Sequence, residues 1–214
     1  MSSNDEQLEA LKDWWRKNAT AVVLGTLVAL GGVGGWKFWQ SHQISQAETA
    51  SQLYSELSQL VMYAAGEERQ HQADQLVQRL TNEFKVSVYA DYGHLFAARL
   101  AVENDQLDTA AQHLQLAMDN SKIEAIQLVA RLRLARIFNS QEQVATALSL
   151  LEIDNPGAFT SEFEALRGDL LISQGKALEA REAYQRALDA SRATGETAPL
   201  VEMKLDSIAG QDDA

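Results

Sequence analysis

The chain has 214 residues with 18 Lys and Arg against 30 Asp and Glu, a net charge of −12, and no cysteine. That balance argues against nucleic acid, which demands a basic footprint, and the missing thiols exclude disulfides, thiolate metal sites and a Cys nucleophile. Charges balance up to Gln40, so the whole net negative charge lies in residues 41–214, which also disfavours lying flat on anionic lipid.

The first element is apolar. Between Lys17 and Lys37 run 19 residues without a charge, with Trp14 and Trp15 at one end and Trp36 and Trp39 at the other. At about 1.5 Å of rise per residue this is ~28 Å of helix, close to the ~30 Å hydrocarbon core of a bilayer, and tryptophans settle at the headgroup level. The reading is a transmembrane helix over 18–39. A cleaved signal peptide would have a shorter apolar region with a small-residue cleavage site close behind it, whereas Ser45-Gln46-Ala47 lies beyond the tryptophan belt in a continuing polar helix. Lys12, Arg16 and Lys17 precede the span and only Lys37 follows it closely. This bias predicts a cytoplasmic tail over 1–17 and a domain over 40–214 on the far side of the membrane.

Small residues recur within the span. Gly31 and Gly35 form a Gly-x-x-x-Gly pair, and Ala21, Gly25 and Ala29 add a small residue every fourth position. Such a face lets another membrane helix approach closely, so Gly25, Gly31 and Gly35 are the candidate packing residues; glycine is also simply common in such spans, and both readings stay open.

Beyond the span, two prolines, Pro156 and Pro199, and no convincing alternating apolar run predict an all-α domain. Helix punctuation places helices near 44–65, 68–83, 87–103, 107–119, 123–138, 142–151, 159–173, 177–191 and 198–209. The joints carry Asn104-Asp105, Asn139-Ser140, Asp154-Asn155-Pro156-Gly157, Gly175 and Gly195, and joints this tight fold consecutive helices into antiparallel hairpins. A shift of 34 brings Arg99-Leu100-Ala101 onto Arg133-Leu134-Ala135 and Leu114 onto Leu148, while Ala110, Ala145 and Ala180 recur every 35 residues. Gly168, Leu171, Gly175, Ala180, Tyr184 and Ala187 carry the small and large pattern of a tetratricopeptide repeat, so the fold class is a transmembrane helix followed by a tetratricopeptide-like helical-hairpin solenoid. Three repeats follow a helical pair at 44–83, and the helix from Pro199 is expected as a polar-faced cap.

Gly35-Trp36-Lys37-Phe38-Trp39-Gln40-Ser41-His42-Gln43, Leu132-Arg133-Leu134-Ala135-Arg136, Leu166-Arg167-Gly168-Asp169 and Met203-Lys204 resemble the YfgM family of ancillary subunits of the bacterial Sec translocon. The resemblance covers nearly the whole chain. It implies a single-pass inner-membrane protein with a periplasmic domain, associated with the SecYEG translocon and a PpiD-like periplasmic chaperone, and assisting secretory client proteins. It implies no catalytic residues and no cofactor.

The residues agree. His42, His71, His94 and His113 are scattered in sequence, and Glu68 with His71 on one helix face would make no metal cage. Gly31-Gly32-Val33-Gly34-Gly35 lies in the span and cannot cradle phosphate, and no serine sits in a nucleophile elbow. The expectation is a non-enzymatic interaction module. On the first helix of each hairpin, lining the inner curve, superposed units place Tyr92, Arg99, Arg133, Arg136 and Ile137, and these are the candidate partner-binding residues. The arginines either receive acidic or carbonyl groups of a partner as forked donors, or pair with neighbours such as Glu103 and Asp169. A second functional class, a membrane-anchored scaffold for assembly of another cell-envelope complex, fits the same sequence.

Overall fold

The computed structural model describes residues 3–63 and 67–212. These divide into two compact units, Met1–Thr49 and Ala50–Ala214. In the first unit, α1 (Ser3–Tyr63) contains the one stretch among the described residues long and apolar enough to cross a membrane. The expected separate helix at 44–65 is continuous with it, because Ser41, His42 and Gln43 include neither Pro nor Gly to stop a helix; residues 64 and 65 lie outside the described residues. Helical periodicity brings Ala21, Gly25, Ala29, Gly32 and Gly35 to one side, and a Cβ placed at Gly25, Gly31 or Gly35 would meet nothing within 4 Å.

The second unit is all helical among its described residues: the end of α1, then α2 (Glu67–Glu83), α3 (Val88–Glu103), α4 (Leu107–Asn120), α5 (Glu124–Ser140), α6 (Val144–Leu150), a 3-10 turn at Gly157–Phe159, α7 (Thr160–Ser173), α8 (Ala177–Thr194) and α9 (Pro199–Asp212). Consecutive helices pack on one another throughout α2–α9. Ala50, Leu53, Leu57 and Val61 of α1 close the first core layer against Ala73, Leu76, Leu80 and Leu100.

Three hairpins, α3–α4, α5–α6 and α7–α8, share one turn. Asp105, Glu142 and Gly175 sit in the left-handed region at φ 57°, 62° and 74°. The amides of Gln106, Gln143 and Lys176 then reach back to the carbonyls of Ala101, Phe138 and Leu171 at 2.8, 2.8 and 3.0 Å, the six-to-one bond that satisfies orphan carbonyls at a helix end. These turns set the true register, at intervals of 37 and then 33 residues, and they correct the expected alignment. The fully buried alanines after the turns are Ala110, Ala147 and Ala180, whereas Ala145 is exposed. Likewise Leu114 corresponds to Leu151, 1% exposed, in place of Leu148. The uneven spacing follows from helix length: α4 and α5, of 14 and 17 residues, separate the first two turns, whereas α6 and α7, of 7 and 14 residues with a longer joint through Pro156 and a 3-10 turn, separate the last two.

α9 packs on α8 through Val201 and Ile208, and Lys204 Nζ meets Asp169 Oδ1 at 2.6 Å. Its outer side is not uniformly polar as expected: Leu200 and Met203 stand exposed among Glu202, Asp206 and Ser207.

Candidate functional site

The first helices of two successive hairpins, α3 and α5, border a groove of about 410 Å³. Tyr92, Phe96 and Arg99 come from α3, and Ile126, Val129 and Arg133 from α5. Spacing of i, i+3 and i+7 stacks Tyr89, Tyr92 and Phe96 on one side of α3, and all three rings meet Tyr54 of α1, with centroids 5.6, 5.3 and 5.9 Å away. The result is a rigid aromatic wall beside a basic rim.

The three arginines differ in what holds them. Arg99 Nε donates to Glu103 Oε1 at 2.9 Å, and Arg69 of α2 donates to the other oxygen of Glu103 at 2.6 Å. Hydrogen bonding from Arg99, then from Arg69, holds the Glu103 carboxyl below its ordinary range. Arg133 and Arg136 are exposed and have no acidic partner among the described residues. Partial desolvation at the groove lowers the pKa of the exposed Arg133, and the neighbouring charges of Arg136 and Arg99 lower it further, so the three guanidiniums form one cluster of like charge. Asp169, an expected partner for these arginines, is taken by Lys204 and by Tyr184, whose hydroxyl donates to it at 2.7 Å.

Four of the five expected partner-binding residues therefore lie in or beside one groove: Tyr92, Arg99 and Arg133 line it, and Arg136 sits within the charge cluster. Ile137 does not join them. It is 7% exposed and packs in the core with Leu114 and Leu134, one helical position being enough to turn a side chain inward. Sequence reading missed Tyr54, Phe96 and Val129, although the aromatic spacing 89, 92 and 96 was a usable signal. The histidines are scattered in sequence, but His94 of α3 and His113 of α4 meet Nδ1 to Nδ1 at 3.1 Å. His71 bonds Gln75 at 2.9 Å; the Glu68 side chain lies outside the described residues. Among the described residues no group of three His, Cys, Asp or Glu could hold a metal ion.

A helical-hairpin stack with a basic, aromatic groove and an apolar amino-terminal helix defines a membrane-anchored tetratricopeptide-repeat-like protein. The family described as "Tetratricopeptide repeat-like domain" matches residues 12–210. A protein of Aggregatibacter actinomycetemcomitans called "Ancillary SecYEG translocon subunit" is 31% identical over 204 residues, 95% of this chain and 97% of the relative. Proteins of the same name from Escherichia coli K12 and Haemophilus influenzae Rd are 27% and 26% identical, over 96% and 86% of this chain and 97% and 87% of their own lengths. The chain belongs to the family of ancillary SecYEG translocon subunits. No solved structure matches it.

Proposed function

We propose that this chain is a non-catalytic ancillary subunit of the SecYEG translocon, held in the inner membrane by the apolar part of α1. In this reading its amino terminus is cytoplasmic and the domain from about residue 40 onward is periplasmic, where the α3–α5 groove binds a PpiD-like chaperone or emerging secretory segments. The relatives' names support the translocon, and the flanking positive charges support the orientation. The observation that carries the binding role is that Arg133 and Arg136 stand exposed and without an acidic partner among the described residues, beside an aromatic wall. A forked guanidinium in such a place is free to take carboxylate or carbonyl oxygens of a partner.

Reversing Arg133 and Arg136 to Glu tests it. Both are exposed, so melting should stay near that of the parent chain, while co-purification of the chaperone from mildly solubilised membranes should fall several-fold and the loss should deepen at low salt. Arg99 is left alone because it also braces Glu103. Unchanged recovery at both salt concentrations would move the contact elsewhere on the domain, and recovery of an unrelated envelope complex in place of the translocon would overturn the functional reading.

A further inference from the structure

On the opposite side of α3 lies a second and larger hollow, about 860 Å³, bordered by α2, α3 and α4. Ala90, His94, Ala97 and Ala101 form its α3 wall, a spacing that places them across the helix from Tyr92 and Arg99. We propose that this trough holds an extended polypeptide segment by its main chain, independently of the segment's sequence.

Five amide side chains carry the proposal. Gln78 and Asn82 come from α2, Asn104 and Gln106 from the α3–α4 turn, and Asn120 from the end of α4. None of the five amide groups is hydrogen-bonded to another described residue. A carboxamide has two donors and an acceptor with two lone pairs, the same functional groups that a peptide main chain presents alternately along its length. Helices satisfy their own main chain, so the segment recognised this way is an extended one.

The histidines and carboxylates of the trough are hydrogen-bonded within this chain. His94 and His113 bond each other, which requires one ring to donate and the other to accept. Asp91 accepts from Ser121 Oγ at 2.7 Å, and Asp74 accepts from Gln70 at 3.2 Å. Lys85 is the one cation among the lining residues, so the trough has no basic cluster for phosphate or nucleic acid. It has no Trp, Tyr or Phe on which a sugar or base would stack. Ala97 and Ala101 leave room for a guest's side chains without selecting among them. From Ala90 to Ala101 the wall runs for about 16 Å at helical rise, the length of roughly five extended residues.

The test uses the full-length protein in detergent micelles and a dye-labelled ten-residue peptide of Ala, Ser, Thr and Gln, blocked at both ends so that it carries no charge. Saturable binding is expected by fluorescence anisotropy. Methylating alternate main-chain nitrogens of the peptide, which removes donors without adding charge, should weaken binding at least tenfold. Asn82→Ala with Asn120→Ala should weaken it at least fivefold, and Gln78→Ala should do so to a lesser degree; all three positions are exposed, and thermal melting checks that the fold is kept. Arg192→Gln, exposed on α8 and lining neither groove, should leave the peptide affinity unchanged. Absence of peptide binding, indifference to N-methylation, or wild-type affinity in the folded amide variants would each overturn the proposal. Loss of binding in Arg133→Glu alone would assign the peptide to the α3–α5 groove instead.

Discussion

The ring of Tyr184 lies directly over Gly168: a Cβ built on this glycine would stand 2.5 Å from Cε1 and 2.6 Å from Cδ1. Counting from the shared turns, Gly168 takes the place of Ala98 and Ala135, and Tyr184 that of Leu114 and Leu151. The third hairpin thus exchanges a medium partner for a large one and removes the opposing methyl. Tyr184 is 3% exposed and its hydroxyl is tied to Asp169, so the ring cannot step aside. Gly168→Ala gains about 1 kcal/mol of helix propensity but overpacks by about 1 to 3 kcal/mol. A net loss of about 1 kcal/mol, read as a lower Tm of the detergent-solubilised protein, is the expected outcome; an unchanged or higher Tm would mean that the ring is free to move.

The repeat register makes a paired prediction. Ala147 is fully buried at the α5–α6 crossing, while Ala145 faces solvent. Ala147→Leu should cost about 1 to 3 kcal/mol, whereas Ala145→Leu should stay within about 0.5 kcal/mol of the parent chain. Urea titrations of the two variants decide it, and equal effects would restore the even 35-residue spacing.

Helix positions were legible because most joints carry their own turn chemistry: Asp105 and Gly175 sit where the chain turns left-handed, and Pro199 opens α9. The register was not legible, because Glu142 adopts the left-handed conformation without being Gly, Asn or Asp, leaving nothing in the sequence to mark the middle turn. The groove survived that error for a geometric reason. A shift of 34 equates Arg99 with Arg133, whereas the turns equate it with Arg136; the two candidates are three residues apart, nearly one helical turn, and both are exposed. Ile137, one residue further, is about 100° around the helix and falls into the core. The histidine contact depends on how α3 and α4 pack across 19 residues of sequence, which no local pattern records.

The anchor offers a test of lateral packing. Gly31→Leu with Gly35→Leu adds bulk to a face that meets nothing in this chain, without reducing apolarity. Membrane insertion should persist, while recovery of the translocon after mild solubilisation should fall several-fold. Full recovery would leave the helix as a plain tether.

The proposed topology rests on three basic residues before the apolar stretch and one close behind it. A reporter active only in the periplasm should work when fused after Ala214 and fail when fused at Ser2. The opposite pattern would put the domain in the cytoplasm and end the proposed role at the exit of the channel.

The pair of His94 and His113 predicts a sensitivity to acid. Burial pushes the His94 pKa from 6.5 down to about 4, with a smaller push from the charge of His113, and burial lowers His113 as well, opposed by Asp74 of α2. In the unfolded chain His94 takes up its proton near 6.5, whereas in the folded chain it resists until about 4, so protons favour unfolding within that window. The stability linked to this group is fully present above pH 6.5 and is lost as pH falls through 6 and 5 towards 4. Solvent in the trough screens the effect, which leaves a loss on the order of 1 kcal/mol. Asp91, raised by burial, works in the opposite sense and mainly near its own carboxylate range. Melting curves at pH 7.5, 6.0, 5.0 and 4.5 should therefore fall more steeply for the parent protein than for His94→Gln, which keeps a neutral hydrogen-bonding group at every pH. Parallel curves would show that the histidine contact opens to water without cost, and that the trough floor is not held by it.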